Sequence, residues 1–272
     1  MYKLLNKDIK KYQIINSNKN EIPVIITIPH SGIYLNKFMY DNLLEDVILA
    51  NTDWYLQDFY SFLEELGFTV IINNISRYVI DPNRDINAKN ETNYTNTLIY
   101  TKTTWGKEMY KNKPDLVEIT KRINNFYIPY HNSIEKEINK KLQHFNKVYL
   151  IDLHSFGKNQ STDIVLGNNN ETTTSQEFIN YIEKILNEKS FKVQRNIPYK
   201  GGYIVRYHGK NINKCETIQI ELSYKSYIEK REFGNEEFPK INKKLFTETQ
   251  NKMKECFIQL KEEFLKTKKF TI

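Results

Sequence analysis

Two histidines that follow predicted strands are the residues of this chain with the clearest capacity for chemistry. His30 comes two residues after the apolar run 23–28, and His154 comes three residues after the apolar run 148–151. A single histidine at a strand end often only hydrogen-bonds a loop carbonyl. Two of them, each in a turn of small residues, favour metal ligation, because imidazole suits zinc and a catalytic zinc keeps three protein ligands plus a water.

The third ligand is expected to be a carboxylate, and Asp53 is the residue that we predict for it. Asp53 could also lie in the first turn of a helix, where the helix dipole stabilises an acidic side chain, and both descriptions can hold together. Asp152 precedes His154 by two residues, so the two side chains share one side of a strand, and Asp152 could orient the imidazole. The predicted cofactor is Zn²⁺ or another divalent metal.

Glu221 is the predicted general base. It follows the run 217–220, and such a glutamate could take a proton from an attacking water and then protonate the leaving amine. Partial burial would raise its pKa towards the range that this role needs. The alternative is a glutamate paired with a basic neighbour at the edge of the sheet.

A group of basic and amide side chains near the same strand ends indicates a small anionic substrate. The group comprises Arg77, Asn83, Arg84, Lys200, Arg206 and His208. Guanidinium groups match carboxylates in bidentate geometry, although any one arginine is by default a solvated surface residue. For His208 a substrate contact, a donor to the transition state and an exposed loop position stay open.

Alternating strands and helices must position these groups. The strands are predicted at 23–28, 68–72, 78–80, 148–151, 164–166 and 217–220. The helices are predicted from an Asn51 or Thr52 cap to Leu66 with a stop at Gly67, from Pro114 to about His144 with a kink at Pro129, from a Ser175 cap to about Lys189, and near the C-terminus. This order predicts an α/β layer protein with a mainly parallel sheet, and its ligands should bind at the carboxyl ends of the strands.

No repeat or low-complexity linker divides the chain, so we predict one domain over 1–272. It would have an N-terminal lead at 1–20 and a C-terminal helix over 235–268 that packs back on the body. The polar stretch 85–97 is predicted to be a surface loop and a possible lid.

Composition excludes several other classes of protein. The net charge is +7, but lysines alternate with glutamates and no nucleic-acid-binding motif accompanies them, so we expect no nucleic-acid partner. No run of apolar residues could cross a bilayer, and the N-terminus does not read as a signal peptide. The cysteines at 215 and 256 are too few for a disulfide framework, which favours the cytoplasm.

Several of these segments together resemble the N-formylglutamate amidohydrolase family. The matching segments are IPHSG at 28–32, NTDWY at 51–55, SRYVIDPNR at 76–84, LIYTKTTWG at 98–106, DLHSF at 152–156, YKGGYIVRYHG at 199–209 and IQIELSYKSYI at 218–228. The resemblance implies hydrolysis of N-formyl-L-glutamate to formate and glutamate, a step of histidine catabolism. It also implies a relation to zinc carboxypeptidases and aspartoacylase-like enzymes, with a three-layer α/β/α fold and a mixed, mostly parallel sheet of the phosphorylase/hydrolase-like, zinc-exopeptidase-like type.

The resemblance also implies roles for individual residues. His30 and His154 match the histidine ligands, Glu221 matches the base, and Asn83 with Arg84 matches a turn that binds the substrate carboxylate. Arg77 matches an arginine that polarises the scissile carbonyl. One departure is that no glutamate follows His30 at the spacing of those relatives. The alternatives are hydrolysis of another N-acyl amino acid or a short acidic peptide, and a non-catalytic protein that binds an acidic metabolite or a polyanion.

Overall fold

A central sheet of seven strands organises the computed structural model, which describes residues 2–87, 97–157, 161–211, 213–230 and 238–266. The strands are β1 (Lys3–Leu4), β2 (Tyr12–Ile15), β3 (Val24–Ile28), β4 (Tyr34–Leu35), β5 (Thr69–Asn73), β6 (Val148–Phe156), β7 (Ile164–Gly167), β8 (Val193–Arg195) and β9 (Cys215–Ser223). The order in the large sheet is β2-β5-β3-β6-β9-β7-β8, and β1 pairs with β4 apart from it.

The large sheet is mixed and mostly parallel. Strand β2 runs antiparallel to β5, and β7 runs antiparallel to β9, while the other neighbours are parallel. The helices are α1 (Lys37–Asn42), α2 (Leu56–Phe59), α3 (Phe62–Glu65), α4 (Leu116–Arg122), α5 (Ile128–Lys141), α6 (Gln176–Glu188), α7 (Tyr203–His208) and α8 (Lys243–Lys266).

Helices cover both faces of the sheet, which makes three layers. On one face, Ile25, Val148 and Leu150 pack with Ile134 of α5 and Ile204 of α7. On the other face the apolar core continues into α2, α3, α6 and α8. Strands that are covered on both faces bury every residue, which explains their nearly continuous apolar sequence. The predicted three-layer, mostly parallel α/β fold is confirmed.

Five of the six predicted strands are correct in place but differ in extent, and the sixth is wrong. Strands β6 and β9 continue past their apolar runs, so His154 and Glu221 lie within strands rather than after them. The run 78–80 is not a strand but part of a turn, in which the Val79 amide donates to the Ser76 carbonyl. Strand β2 belongs to the predicted N-terminal lead and was not expected, because its sequence YQII follows a lysine-rich segment with little apolar character.

The first helices begin at other residues than predicted, and local backbone conformation explains the differences. The helix expected over 51–66 is two short helices that begin only at Leu56, because Tyr55 takes the left-handed conformation at φ 59°. Gly67 does end this region, with φ 82°. Asp115, rather than a first turn at Pro114, begins the long helical segment, since its carboxylate accepts from the Glu118 amide.

The later helices agree better with the sequence patterns. The Ser175 hydroxyl accepts from the Phe178 amide and caps α6, as predicted. The C-terminal helix begins at Lys243 rather than 235, and its buried side chains include Met253, Phe257 and Phe264. Most of the predicted loop 85–97 lies outside the described residues. Within the described residues, no helix combines the length and the apolar character that a membrane span requires.

Candidate metal centre and active site

One face of the sheet changes from apolar to polar towards the carboxyl ends of its strands. After Leu150, the side chains that follow on the same face of β6 are Asp152 and His154. The parallel register places Gln219 of β9 beside Asp152 and Glu221 beside His154. All four polar side chains are buried. Because burial of unpaired polar groups is costly, such a cluster indicates a functional site.

Three potential metal ligands meet at this polar end. The Nδ1 atom of His154 lies 3.1 Å from Asp53 Oδ2, and Nδ1 of His30 lies 3.7 Å from the same oxygen. One ligand atom from each of the three residues lies within 4.8 Å of the others. The two imidazole rings stand edge to face at 4.7 Å. The residues that were predicted as metal ligands are therefore brought together.

Each imidazole is held through its other nitrogen by a buried aspartate. The distance from His30 Nε2 to Asp81 Oδ1 is 2.7 Å, and the distance from His154 Nε2 to Asp152 Oδ2 is also 2.7 Å. A carboxylate accepts, so both Nε2 atoms carry hydrogen and both Nδ1 atoms face Asp53. This is the carboxylate–histidine arrangement that orients zinc ligands in proteins, and the donor set fits a divalent cation.

The electrostatic environment of the two histidines differs. Burial, with a smaller contribution from the charge of Arg77, lowers the pKa of His30 to about 4. Burial also disfavours protonated His154, but the charge and hydrogen bond of Asp152 and the hydrogen bond of Asp53 raise its pKa well above the ordinary value. The negative charge of Asp53, which favours protonated His154, would also stabilise a cation bound between the two Nδ1 atoms.

Asp53 reaches this position from an extended segment, not from a helix. Its amide donates to the His30 carbonyl at 3.1 Å, which fixes the segment beside the end of β3. The neighbouring Thr52 is held from both sides, by the hydroxyls of Tyr2 and Tyr224. The alternative that Asp53 occupies the first turn of a helix is wrong, because α2 begins three residues later.

Asp81 was not predicted and is the most heavily hydrogen-bonded residue near the site. Besides His30, it accepts from two nitrogens of Arg77, from the Tyr100 hydroxyl and from the Asn83 amide. Burial opposes its charge, but Arg77 and His30 hold its pKa well below the usual range. The signal for it in the sequence is its position at the start of the segment 81–84, directly after the run 78–80 for which a strand is predicted.

Arg77 is engaged with this aspartate rather than pointing freely into the site. Its Nη2 lies 2.6 Å from Asp81 Oδ2, and its Nη1 donates to the Asn51 carbonyl at 3.3 Å. The guanidinium is buried. Its predicted role in polarising the scissile carbonyl stays a prediction, and the contacts support an additional contribution through Asp81.

Glu221 is buried in β9, between β6 and β7, so the alternative of a glutamate at the sheet edge is wrong. Its Oε1 accepts from Gln219 Nε2 at 2.7 Å. Burial raises the pKa of Glu221 to about 7, although the neighbouring His154 charge opposes the shift. A carboxyl group with a pKa near neutrality can both accept and return a proton.

The turn 81–84, which we call the substrate turn because Asn83 and Arg84 are predicted to bind the substrate, connects the two sides of the site. Asn83 is buried, and its Nδ2 lies 3.2 Å from His154 Nε2 while its Oδ1 accepts from the Ile204 amide. A Cβ at Gly202 would overlap the Asn83 side chain, so glycine is required there. Arg84 has a buried Nε with no hydrogen-bond partner in the described residues.

The structure gives less direct support for the other residues that are predicted to bind the substrate. Lys200 and Arg206 are exposed, and Arg206 Nη1 donates to the Gly201 carbonyl. Arg84 lies close enough to Arg206 to lower its pKa, second to burial. His208 is not in an exposed loop: it is buried in α7, and its Nε2 lies 3.2 Å from Nδ1 of His131.

We expect Asp152→Asn to weaken divalent-metal binding about 10- to 100-fold, because Asp152 orients His154 and increases its basicity. Affinity is measured by competition with a chromophoric chelator. The matched control is Thr27→Val, which removes the other side-chain partner of Asp152, at 2.6 Å, without changing the imidazole contact. Unchanged affinity in Asp152→Asn would contradict the orienting role.

The three-layer fold and the buried histidine–aspartate cluster beside a buried glutamate fit a hydrolytic enzyme of the amidohydrolase class. The chain belongs to the N-formylglutamate amidohydrolase family, whose sequence profile matches residues 22–228. It is 26% identical to an N-formylglutamate deformylase of Pseudomonas putida over 232 residues, which cover 81% of this chain and 87% of that protein. A deformylase of Pseudomonas aeruginosa is also 26% identical, with coverage of 80% and 87%.

Solved structures agree on the fold. The crystal structure of N-formylglutamate amidohydrolase from Ralstonia eutropha JMP134 superposes with a TM-score of 0.83 at 23% identity, covering 94% of this chain and 99% of that one. A gene product of Agrobacterium tumefaciens superposes with a TM-score of 0.71 at 17% identity, covering 92% and 94%.

Proposed function

We propose that this chain hydrolyses N-formyl-L-glutamate to formate and L-glutamate, with a divalent metal, zinc by preference, held by His30, Asp53 and His154. The observation that carries the proposal is that the Nδ1 atoms of both histidines converge on Asp53 beside a buried glutamate. The deformylases of the two Pseudomonas species support the choice of substrate.

The chain's own residues account for the proton transfers. A metal held by His30, Asp53 and His154 would supply a Lewis acid for the formyl oxygen and would lower the pKa of water. As the oxygen of the attacking water bonds to the formyl carbon, Glu221 takes one proton from that water. It then returns that proton to the amide nitrogen as the C–N bond breaks, which yields formic acid and the neutral amine. The acid proton then passes to the amine, so that the products are formate and the ammonium form of glutamate. The raised pKa of Glu221, about 7, matches a group that must both accept and return a proton.

Arg77 has two roles in this proposal. It acts on His30 through Asp81, and it contacts the formyl oxygen of the bound substrate. The ion pair between Arg77 and Asp81 keeps the aspartate charged, and the charged aspartate holds the hydrogen on Nε2 of His30. His30 thus presents an unprotonated Nδ1 to the metal. Arg77 also brings positive charge near the centre where the oxyanion develops.

The carboxylates of the substrate would bind at the other end of the site. The buried, unpartnered Nε of Arg84 is suited to a carboxylate, because a buried donor without an acceptor is costly. The proximity of Arg84 to Arg206 is repulsive, and the charge of Asp85 offsets this repulsion only in part. A substrate with two carboxylates would relieve this repulsion, and Lys200 can add charge from the exposed side. Asn83 anchors the turn through its bond from the Ile204 amide. His208 acts indirectly in this proposal, through its contact with His131.

We expect purified, metal-loaded protein to release formate from N-formylglutamate and to lose the activity when the metal is removed. Formate release and metal content are measured on the same preparation. The control substrates are N-acetylglutamate and N-succinylglutamate, which change the acyl group, and N-formylglutamine, which loses one carboxylate. If one of these turned over and N-formylglutamate did not, the substrate would be wrong while the hydrolase class stood. Ligand binding without turnover would favour a non-catalytic binder.

A further inference from the structure

Two donors from one helical segment bind alternate carbonyls of the substrate turn. The Tyr127 hydroxyl donates to the Arg84 carbonyl at 2.7 Å, and His131 Nε2 lies 2.9 Å from the Pro82 carbonyl. Other hydrogen bonds of the turn backbone run from the Arg84 amide to the Asp81 carbonyl at 3.2 Å, from the Asp81 amide to the Leu98 carbonyl at 2.9 Å and from the Tyr203 amide to the Asn83 carbonyl at 3.3 Å. The donors come from a segment more than forty residues away in sequence.

The geometry of the helix explains why both donors face the turn. Tyr127 ends a π-helical turn (Ile123–Tyr127), and α5 begins at the next residue with Pro129 in its first turn. Proline has no amide hydrogen and crowds the preceding turn, and the wider π turn accommodates it. Tyr127 and His131, four residues apart, therefore lie on one face. π-helical turns often occur at functional sites.

Hydrogen bonding fixes the tautomer of His131. A carbonyl can only accept, so Nε2 of His131 carries the hydrogen and its Nδ1 is an acceptor. His208 Nε2, at 3.2 Å from that Nδ1, must then be the donor. The two rings stack at 5.4 Å and 18°, and both are buried. Burial lowers the pKa of His131 to about 4, which is consistent with a neutral ring.

The substrate turn contacts both histidines of the predicted metal centre. Asp81 hydrogen-bonds His30, Asn83 contacts His154, and Arg84 offers the unpartnered buried Nε. Asp81 and Asn83 have other anchors as well, in Arg77 and in the Ile204 amide. At the Arg84 end of the turn, the Asn83 carbonyl accepts from the Tyr203 amide at 3.3 Å and from Arg84 Nη1. Within the described residues, the hydrogen bond that holds the Arg84 carbonyl itself comes from the Tyr127 hydroxyl.

We propose that Tyr127 and His131 are positioning residues, which together form a clamp that fixes the Pro82 and Arg84 carbonyls and so aims the Arg84 guanidinium at the substrate. The kinetic consequence rests on the proposed function. The clamp acts on the binding of the substrate carboxylate and leaves the metal centre intact, because Asp81 keeps its bonds to Arg77 and His30.

The kinetic test compares Tyr127→Phe and His131→Leu, which remove one donor each, with His131→Gln, whose amide can still donate to the Pro82 carbonyl. We expect KM for N-formylglutamate to rise about 3- to 10-fold in the first two, as for loss of one hydrogen bond, with little change in kcat or metal content. His131→Gln should restore most of the affinity. A matching fall of kcat and kcat/KM at constant KM would overturn the proposal.

Two further variants serve as controls. Tyr130→Phe removes a buried hydroxyl on the same helix that has no hydrogen-bond partner in the described residues, and it should leave KM unchanged. Tyr203→Phe removes a hydroxyl that hydrogen-bonds the Tyr127 hydroxyl. This variant separates the effect of the Tyr127–Tyr203 bond from the effect of the bond between Tyr127 and the Arg84 carbonyl. If Tyr203→Phe reproduced the whole effect of Tyr127→Phe, the assignment to the Arg84 carbonyl would be wrong.

Hydrogen–deuterium exchange tests the clamp without relying on catalysis. In metal-free protein, the Asn83 and Arg84 amides should exchange about 3- to 10-fold faster in Tyr127→Phe and His131→Leu than in wild type or Tyr130→Phe. If wild type releases no formate, the proposed function fails and the exchange rates alone decide on the clamp. If exchange in the turn is unchanged, or if it rises while KM stays constant, the clamp is overturned even in an active deformylase.

Discussion

Glu221→Gln is expected to lower kcat for formate release about 10²- to 10⁴-fold while the metal content stays at the wild-type level. Glutamine preserves the shape of the side chain and its acceptor for the Gln219 amide, but it cannot take a proton from water or return one to the amine. The measurements are steady-state formate release and elemental analysis of the same sample. KM should change little, because the substrate carboxylates are proposed to bind near Arg84 and not at Glu221.

The matched control is Glu216→Gln, which makes the same chemical change at another buried position of β9. Glu216 pairs with Lys147 and accepts from Ser175, away from the polar cluster. We expect a loss of stability there and a normal kcat at temperatures where the variant is folded. Near-normal turnover in Glu221→Gln would show that another group, or the metal alone, moves the proton.

Alanine at His30, at His154 or at Asp53 is expected to reduce the metal content from about one ion per chain towards zero and to abolish turnover, by about 10³-fold or more. Each change removes one of three ligand atoms that lie within 4.8 Å of one another. Two ligands hold a zinc ion much less tightly than three. Metal content is measured by elemental analysis after dialysis against a weak chelator.

His144→Ala is the control for this series, because His144 is exposed in the turn after α5 and should retain full metal content. Thermal unfolding of the metal-free forms separates loss of a ligand from loss of the fold. If His30→Ala and His154→Ala both kept full stoichiometry, the assigned site would be wrong. If only Asp53→Ala did so, the two histidines would stand and another carboxylate would complete the set.

The convergence of the three predicted metal ligands could be anticipated from the sequence because it follows from two simple regularities. Parallel strands deliver the residues at their carboxyl ends to one edge, which brings His30 and His154 together. Alternation along a strand places Asp152 on the same side as His154, and the structure shows that contact at 2.7 Å. Asp53 was expected from the need for a carboxylate, and its position beside the His30 carbonyl agrees.

The residues that support the ligands could not be predicted in this way. Asp81 lies in a turn whose neighbours, Tyr78 to Ile80, are apolar enough to suggest a strand. Tyr127 and His131 are helical residues whose partners lie 43 and 49 positions earlier in the chain. Nothing local distinguishes a helical histidine that faces a carbonyl from one that faces solvent, so only the tertiary arrangement reveals these contacts.

The antiparallel strand β2 has a consequence for the integrity of the whole sheet. It is the outermost strand on its side, and it pairs along the length of β5, whose sequence TVIIN is buried throughout. Without β2, the β5 backbone would offer a row of unpaired amides and carbonyls on an apolar, β-branched strand, which is a template for pairing with another chain. By pairing with β5, the N-terminal segment covers this edge, and we expect a chain that lacks β2 to associate more readily with other copies.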